Sequence, residues 1–271
     1  MQKKIAETFI FLHIPKTAGT SLWKSIEADF GKKYNILNIH LIDKKIRAGE
    51  LPHYTGDRNT FLQQTIAEVE KNTKIDLMVG HYKFGIHQYF NHPAKYFAFV
   101  RQPVERFISQ YYFLEKSKKT VTQHQEMLKN IHSLEDFAQS PQFFNSQAKF
   151  FTGLSENALN QLSEKDFLTH INDIYNKHFF FIGITENFDQ SIVVFKEISG
   201  FRKLSIQKSN VNKSKPASST LSPNIISLIQ NNNHYDNLLY EFALEKFKEL
   251  AEKNPPKELS IIQKILQKLP F

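Results

Sequence analysis

The chain has 271 residues, of which 41% are hydrophobic and 23% charged, a composition that suits a folded globular protein with a sizeable core. Lys and Arg outnumber Asp and Glu by 35 to 27, a formal charge of +8, which favours an anionic partner: a nucleotide, a phosphorylated or sulfated ligand, a nucleic acid or an acidic membrane. Cysteine is absent, which excludes disulfides, zinc–thiolate sites and cysteine nucleophiles, and 25 Phe against a single Trp point to a phenylalanine-rich core.

The amino-terminal MQKKIAETFIFLHI holds only a short apolar run broken by His13, without the longer apolar core and cleavage site of a signal peptide. No stretch approaches the roughly 20 apolar residues that span a bilayer, so the expected location is the cytoplasm. Asn212-Lys213-Ser214 then matches the glycosylation pattern by chance. Residues 8–14 read as a buried strand and 19–30 as the following helix, closed by Gly31. Residues 32–57, with Gly49, Pro52 and Gly56, read as loops. Phe61, Leu62, Ile66 and Val69 give 58–71 a helical period. Residues 75–79 form a second apolar run ending in Gly80-His81, and 96–100 a third ending at Arg101. Pro103 opens a helix carrying Phe107, Ile108, Tyr111 and Leu114, in which Tyr111 and Tyr112 are packing residues.

Residues 117–178 read as mostly helical, with breaks near Pro141 and Gly153. A fourth strand follows at 179–184 and a helix at 186–199, with Thr185-Glu186 as its cap and first acidic residue. The stretch SIQKSNVNKSKPASSTLSP is basic, polar and aperiodic. A last helix covers 223–253 with a break at NNNHYDN, and Leu259, Ile262, Leu266 and Leu269 form an apolar stripe suited to core, a dimer surface or peripheral membrane contact. Strands alternating with helices predict an α/β fold, a central, mostly parallel sheet flanked by helices and carrying a helical insertion. One domain over 1–253 is expected, with 254–271 as an amphipathic tail.

In parallel sheets ligands gather at the carboxyl ends of the strands, and three such ends carry polar residues. The first opens HIPKTAGTSL, where Gly19 admits a close ligand and the amides opening a helix, Ala18 among them, hold an anion. Lys16 adds a charge, and Thr17, Thr20 and Ser21 add hydroxyls. The Walker spacing and GxGxxG are both absent, and a plain strand–turn–helix with a surface lysine is the alternative. The third end opens VRQPVERFISQYYF, where Arg101 and Ser109 suit one phosphate, unless Arg101 simply pairs with Glu105. Between them stands His81, a candidate general base or a packed strand-end histidine. The histidines show no metal-ligand spacing.

HIPKTAGTSL followed by VRQPVERFISQYYF resembles the PAPS-dependent sulfotransferases of the carbohydrate (heparan/uronyl) 2-O-sulfotransferase type, including bacterial members. Weaker similarity runs through MVGHYKFG, FIGITENFDQSI, NVNKSK and LSPNIISLIQNNNHYDNLLYEFA, from about residue 9 to 247. The resemblance implies a P-loop-like three-layer fold and sulfuryl transfer from PAPS (3′-phosphoadenosine 5′-phosphosulfate) to a hydroxyl, with PAP (adenosine 3′,5′-bisphosphate) as product and no metal. Lys16, Thr17, Ala18, Gly19, Thr20 and Ser21 would hold the 5′-phosphosulfate, and Arg101 and Ser109 the 3′-phosphate. His81 would be the base and Lys16 the group that stabilises the leaving phosphate. Lys213 and Ser214 of NVNKSK would close over the nucleotide, or else belong to a solvated basic loop. The expected acceptor is a glycan or glycoconjugate, without nucleic acid, and the lack of an anchor points to a bacterial enzyme. Positions 79 and 83 are Val and Lys, where the animal enzymes carry a second histidine near the base. A nucleotide-dependent kinase and a non-catalytic polyanion binder are the competing readings.

Overall fold

The first apolar run becomes β1 (Thr8–Leu12), joined by β2 (Ile36–Asn38), β3 (Leu77–Gly80), β4 (Ala94–Val100) and β5 (Phe179–Ile184). The structure, a computed structural model, describes residues 7–30, 34–54, 56–201, 204 and 220–255. Lys213, Ser214, Gly31 and the stripe from Leu259 to Leu269 lie outside these residues. The five strands are all parallel in the order β2-β3-β1-β4-β5. Both faces of the sheet are covered, which is why β1 and β4 read as near-continuous apolar runs instead of alternating.

Helix α1 (Gly19–Phe30) follows β1, and α2 (Ile39–Arg47) and α3 (Arg58–Glu70) lie between β2 and β3. Between β4 and β5 run α4 (Pro103–Ser117), α5 (Thr122–Met127), α6 (Leu134–Gln139), α7 (Ser146–Thr152), α8 (Glu156–Leu159) and α9 (Glu164–His178). The chain then forms α10 (Phe188–Ser199), α11 (Pro223–Asn232) and α12 (His234–Lys253). The expected breaks appear as a short 3₁₀ turn at Pro141–Phe143 and a left-handed cap at Gly153, φ 79°. Residues 32–57 depart from expectation, since they contain β2 and α2. A three-residue strand has no measurable period, and α2 is fixed by its cap: the Asn38 side chain accepts the Leu41 N–H at 3.0 Å.

Phenylalanine dominates the interior, as its abundance implied. Phe11, Phe97, Phe99, Phe151, Phe167, Phe181 and Phe195 are fully buried around the sheet, each contributing about 1.5–3 kcal/mol. A second apolar cluster, separate from the sheet core, joins α4, residues 128–143 and Ile229 of α11, with Phe107 and Phe137 at its centre. Between the two, α7 is pinned through polar groups. The left-handed Asn145 (φ 46°) takes the Asn233 side chain on its N–H at 3.1 Å, and the Ala148 N–H donates to Asp236 at 2.8 Å. Asp236 in turn lies 3.8 Å from Nε of Arg106 on α4, both side chains being 1% exposed.

Candidate active site

The strand order reverses about β1, whose chain exits toward β2 while that of β4 exits toward β5. The crevice at this switch is where parallel sheets bind ligands, and the loops after β1 and β4 meet there. In the first loop Lys16 and Ala18 both take left-handed conformations, φ 72° and 61°. Each costs on the order of 1–3 kcal/mol in a non-glycine residue. Alternating right- and left-handed residues turn successive amides toward one concavity, the geometry of an anion-binding nest, and α1 opens directly behind it.

Gly19 begins α1 for a different reason from the one its sequence context implies. A Cβ there would fall 2.0 Å from Cδ2 of His13, so the missing side chain is replaced by the His13 ring. The Thr17 hydroxyl is turned inward, donating to the Ile14 carbonyl at 2.9 Å, which leaves this residue's backbone to line the loop. Thr20 is exposed, Ser21 is buried, and Ser21 N–H donates to the Ala18 carbonyl at 3.0 Å. Lys16 sets its ammonium 4.1 Å over the Phe113 ring of α4.

Arg101 bridges to this loop: Nη1 donates to the Lys16 carbonyl at 3.3 Å. Its backbone is clamped by the fully buried Gln147, which accepts the Arg101 N–H at 2.9 Å and donates to its carbonyl at 2.8 Å. Two carboxylates attend the guanidinium, Glu105 at 3.5 Å and Glu186 at 3.7 Å, yet Nε is buried without a hydrogen-bond acceptor. The pairing of Arg101 with Glu105 foreseen as the plain alternative is thus present but long. Glu105, Ser109 and Phe113 recur every four residues, so they share the α4 face that meets Lys16 and Arg101. That places Ser109 on the same face as the arginine.

His81 follows β3, and its Nδ1 lies 2.7 Å from the His13 carbonyl. A carbonyl only accepts, so Nδ1 carries the proton and Nε2 keeps the lone pair. Burial pushes the His81 pKa below its ordinary value, against the bond to the His13 carbonyl and Asp43, which raise it, and with Arg58 and Arg47, which lower it further. The ring is therefore neutral near pH 7, in the form that can take a proton, while the residue keeps an exposed surface.

Two further histidines stand beside it. His13 is buried, with Nδ1 2.7 Å from Nε2 of the half-buried His40, and the His13–His81 and His40–His81 ring centroids are 4.5 and 4.4 Å apart. Gly80 makes this approach sterically open, because a Cβ there would lie 2.6 Å from Ile39 at the start of α2. Burial holds His13 well below its usual pKa and lowers His40 to about 4. His40 was missed because its segment read as loop; the Asn38 cap and the Ile39/Ile46 spacing were the available signals. Glu186 was misplaced as well. Asn187 stands at the α10 N-cap, whereas Glu186 accepts the Gln102 N–H at 3.2 Å and the Tyr240 hydroxyl at 3.1 Å.

Residues that could hold an anionic nucleotide are thus Lys16 to Ser21 and Arg101, while Arg47, exposed, and Arg58 lie near the histidines. Arg58 is held by Asp43 through bonds of 2.6 and 2.8 Å, against the rings of Tyr54 and Phe61. Among the described residues no helix is long and apolar enough to cross a membrane. The sulfotransferase family model matches residues 5–243. No curated protein matches the chain. The chain belongs to the sulfotransferase family, and its five-stranded parallel sheet between helices is consistent with the P-loop-like fold of such enzymes.

Proposed function

With sulfuryl transfer to a hydroxyl as the premise, we propose that the donor is PAPS, that the acceptor is a glycan or glycoconjugate, and that the chain is of the 2-O-sulfotransferase type. The observation that carries this reading is the meeting, in one crevice, of the left-handed Lys16–Ala18 loop and an Arg101 whose buried Nε lacks an acceptor. An anion spanning both would meet the backbone of the left-handed loop and a guanidinium whose Nε has a carboxylate 3.7 Å away but no hydrogen-bond acceptor. The residues present fit a donor with a 5′-phosphosulfate on the loop and a 3′-phosphate at Arg101 and Ser109. Glu105 and Glu186 orient the guanidinium. The site needs no metal in this reading, because Lys16, Arg101 and the amides supply the positive field.

The reaction is an in-line displacement. The acceptor oxygen forms a bond to sulfur, the bond from sulfur to the bridging oxygen breaks, and its electron pair stays on the leaving 5′-phosphate. His81 takes the acceptor proton on Nε2, held in that tautomer by the His13 carbonyl. Lys16 stabilises charge that grows on the bridging oxygen, and so acts more on the transition state than on the ground state. Arg47 and Arg58 give the His81 side a positive field that suits an acidic or already sulfated sugar. Calorimetric titration of adenosine 3′,5′-bisphosphate, AMP and ATP without added metal tests the reading. The bisphosphate is expected to bind tightly and the others weakly. Arg101→Ala should weaken the bisphosphate by about 10–100-fold, as loss of charge-assisted hydrogen bonds does, while leaving AMP nearly unchanged. Preference for ATP, or equal losses for both ligands, would overturn it.

A further inference from the structure

The spacing of histidines along the chain shows no metal motif, but the fold gathers three of them from β1, α2 and the end of β3. We propose that His13, His40 and His81 form a binding site for a divalent transition-metal ion of the Zn²⁺ or Co²⁺ kind. One ring nitrogen from each lies within 4.8 Å of the other two. Imidazoles about 2.0–2.1 Å from a tetrahedral ion are about 3.3–3.4 Å from one another. His13 Nδ1 and His40 Nε2, 2.7 Å apart, therefore have to part by about 0.6 Å, and a pair as wide as the 4.8 Å limit has to close by about 1.4 Å, shifts that side-chain rotations have to supply.

A second observation is independent of spacing. A metal-ligating histidine as a rule donates its other ring N–H to a carbonyl or carboxylate, which fixes the lone pair toward the ion. His81 does this through Nδ1 to the His13 carbonyl. The 2.7 Å contact between His13 and His40 holds one ring N–H, and binding a metal there requires that ring to move its proton to its other nitrogen. Three neutral nitrogen donors, one of them on an exposed residue, leave a position open to water or another ligand. The set is wrong for Mg²⁺ or Ca²⁺, which take oxygen ligands, and right for zinc, cobalt, nickel or copper. Lys16, Arg47 and Arg58 oppose a dication and Asp43 offsets part of their field, so binding is weaker than at a purpose-built zinc site.

A metal held by His81 occupies the lone pair that would otherwise take the acceptor proton. Metal binding then switches the transferase off, a consequence that, unlike the site itself, rests on the proposed role of His81. The test uses the untagged full chain, freed of metal with EDTA, and titrated with Co²⁺ while its visible d–d bands are followed. Saturation near one equivalent with intense four- or five-coordinate bands is expected, displaced by Zn²⁺. His40→Ala and His81→Ala should each weaken Co²⁺ about tenfold or more, with thermal melting as the check that each is folded. Weak, unsaturable Co²⁺ binding by the parent chain overturns the proposal, as does an affinity unmoved by either variant. Titration of adenosine 3′,5′-bisphosphate on the same samples separates the two readings. Bisphosphate binding without Co²⁺ binding removes the metal site and keeps the donor site, and the opposite pattern does the reverse.

Discussion

Replacing Gly19 by alanine probes the contact that joins the anion loop to the histidines. The new Cβ would lie 2.0 Å from Cδ2 and 2.1 Å from Nε2 of His13, about 1.5 Å inside ordinary van der Waals separation. His13 has little room to yield, because Phe11 stacks on it with a centroid distance of 5.2 Å and His40 holds its Nδ1. The ring has to swing away and give up that bond. Overpacking a closed site costs about 1–3 kcal/mol, and the lost hydrogen bond about 1 kcal/mol more. The better helix propensity of alanine returns about 0.5–1 kcal/mol. The net loss is about 1–3.5 kcal/mol, or a Tm lower by about 2–14 °C at 2–4 °C per kcal/mol for a chain of this size. Thermal melts of Gly19→Ala, His13→Ala and the double variant close the cycle. The pair should be strongly non-additive, with about 1.5 kcal/mol or more of interaction, since alanine at 19 meets no ring once His13 is gone. A Gly19→Ala protein that melts with the parent, or strictly additive effects, would refute the packing account and leave ligand approach as the reason for the glycine.

Two further outcomes concern the reaction. Lys16→Ala should lower kcat by about 10²–10³-fold, as removal of a single oxyanion donor does, with a much smaller effect on product affinity; steady-state kinetics beside bisphosphate titration decides it, and parallel losses would assign Lys16 to binding alone. The pH profile of kcat/KM should carry an acid limb below pH 6.5. The pKa of His81 is lowered, so its basic form persists as the pH falls past the ordinary histidine value and is lost only below the depressed one. A limb at or above 6.5, or one that survives in His81→Ala, would take the base role from this residue.

Much of this site could be read before folding because its local segments are self-sufficient. The run 8–12 has no polar interruption, the turn after it is rich in hydroxyl residues, and α1 spans the residues its pattern indicated. Pro103 at the first turn of α4, with Gln102 accepting the Glu105 N–H at 2.8 Å, is likewise a local signal that fixes the stripe bearing Ser109. What escaped depends on pairs far apart in the chain. His13 and His40 are separated by 27 positions and meet only because the sheet brings the segments after β1 and β2 to one edge. No periodicity encodes that. Glu186 looked like the start of a helix, and its partners Gln102 and Arg101 belong to the neighbouring strand's loop. Burial lowers the pKa of His13 and His40, and burial belongs to the assembled sheet edge.

The clamp of Gln147 on Arg101 bears on how such an enzyme can be redesigned. It would be natural to treat everything between β4 and β5 as an exchangeable cassette and transplant it from a relative to change the acceptor. Residues 145–152 do not belong to that cassette. They grip both backbone groups of Arg101 and are themselves anchored to α12 through Asn233 and Asp236. A chimera cut across them would loosen Arg101, and with it the proposed hold on the donor. The separable piece is the stretch around 118–143, whose apolar residues pack on α4 and α11 away from the sheet, and crossover points placed there leave the arginine's mounting intact.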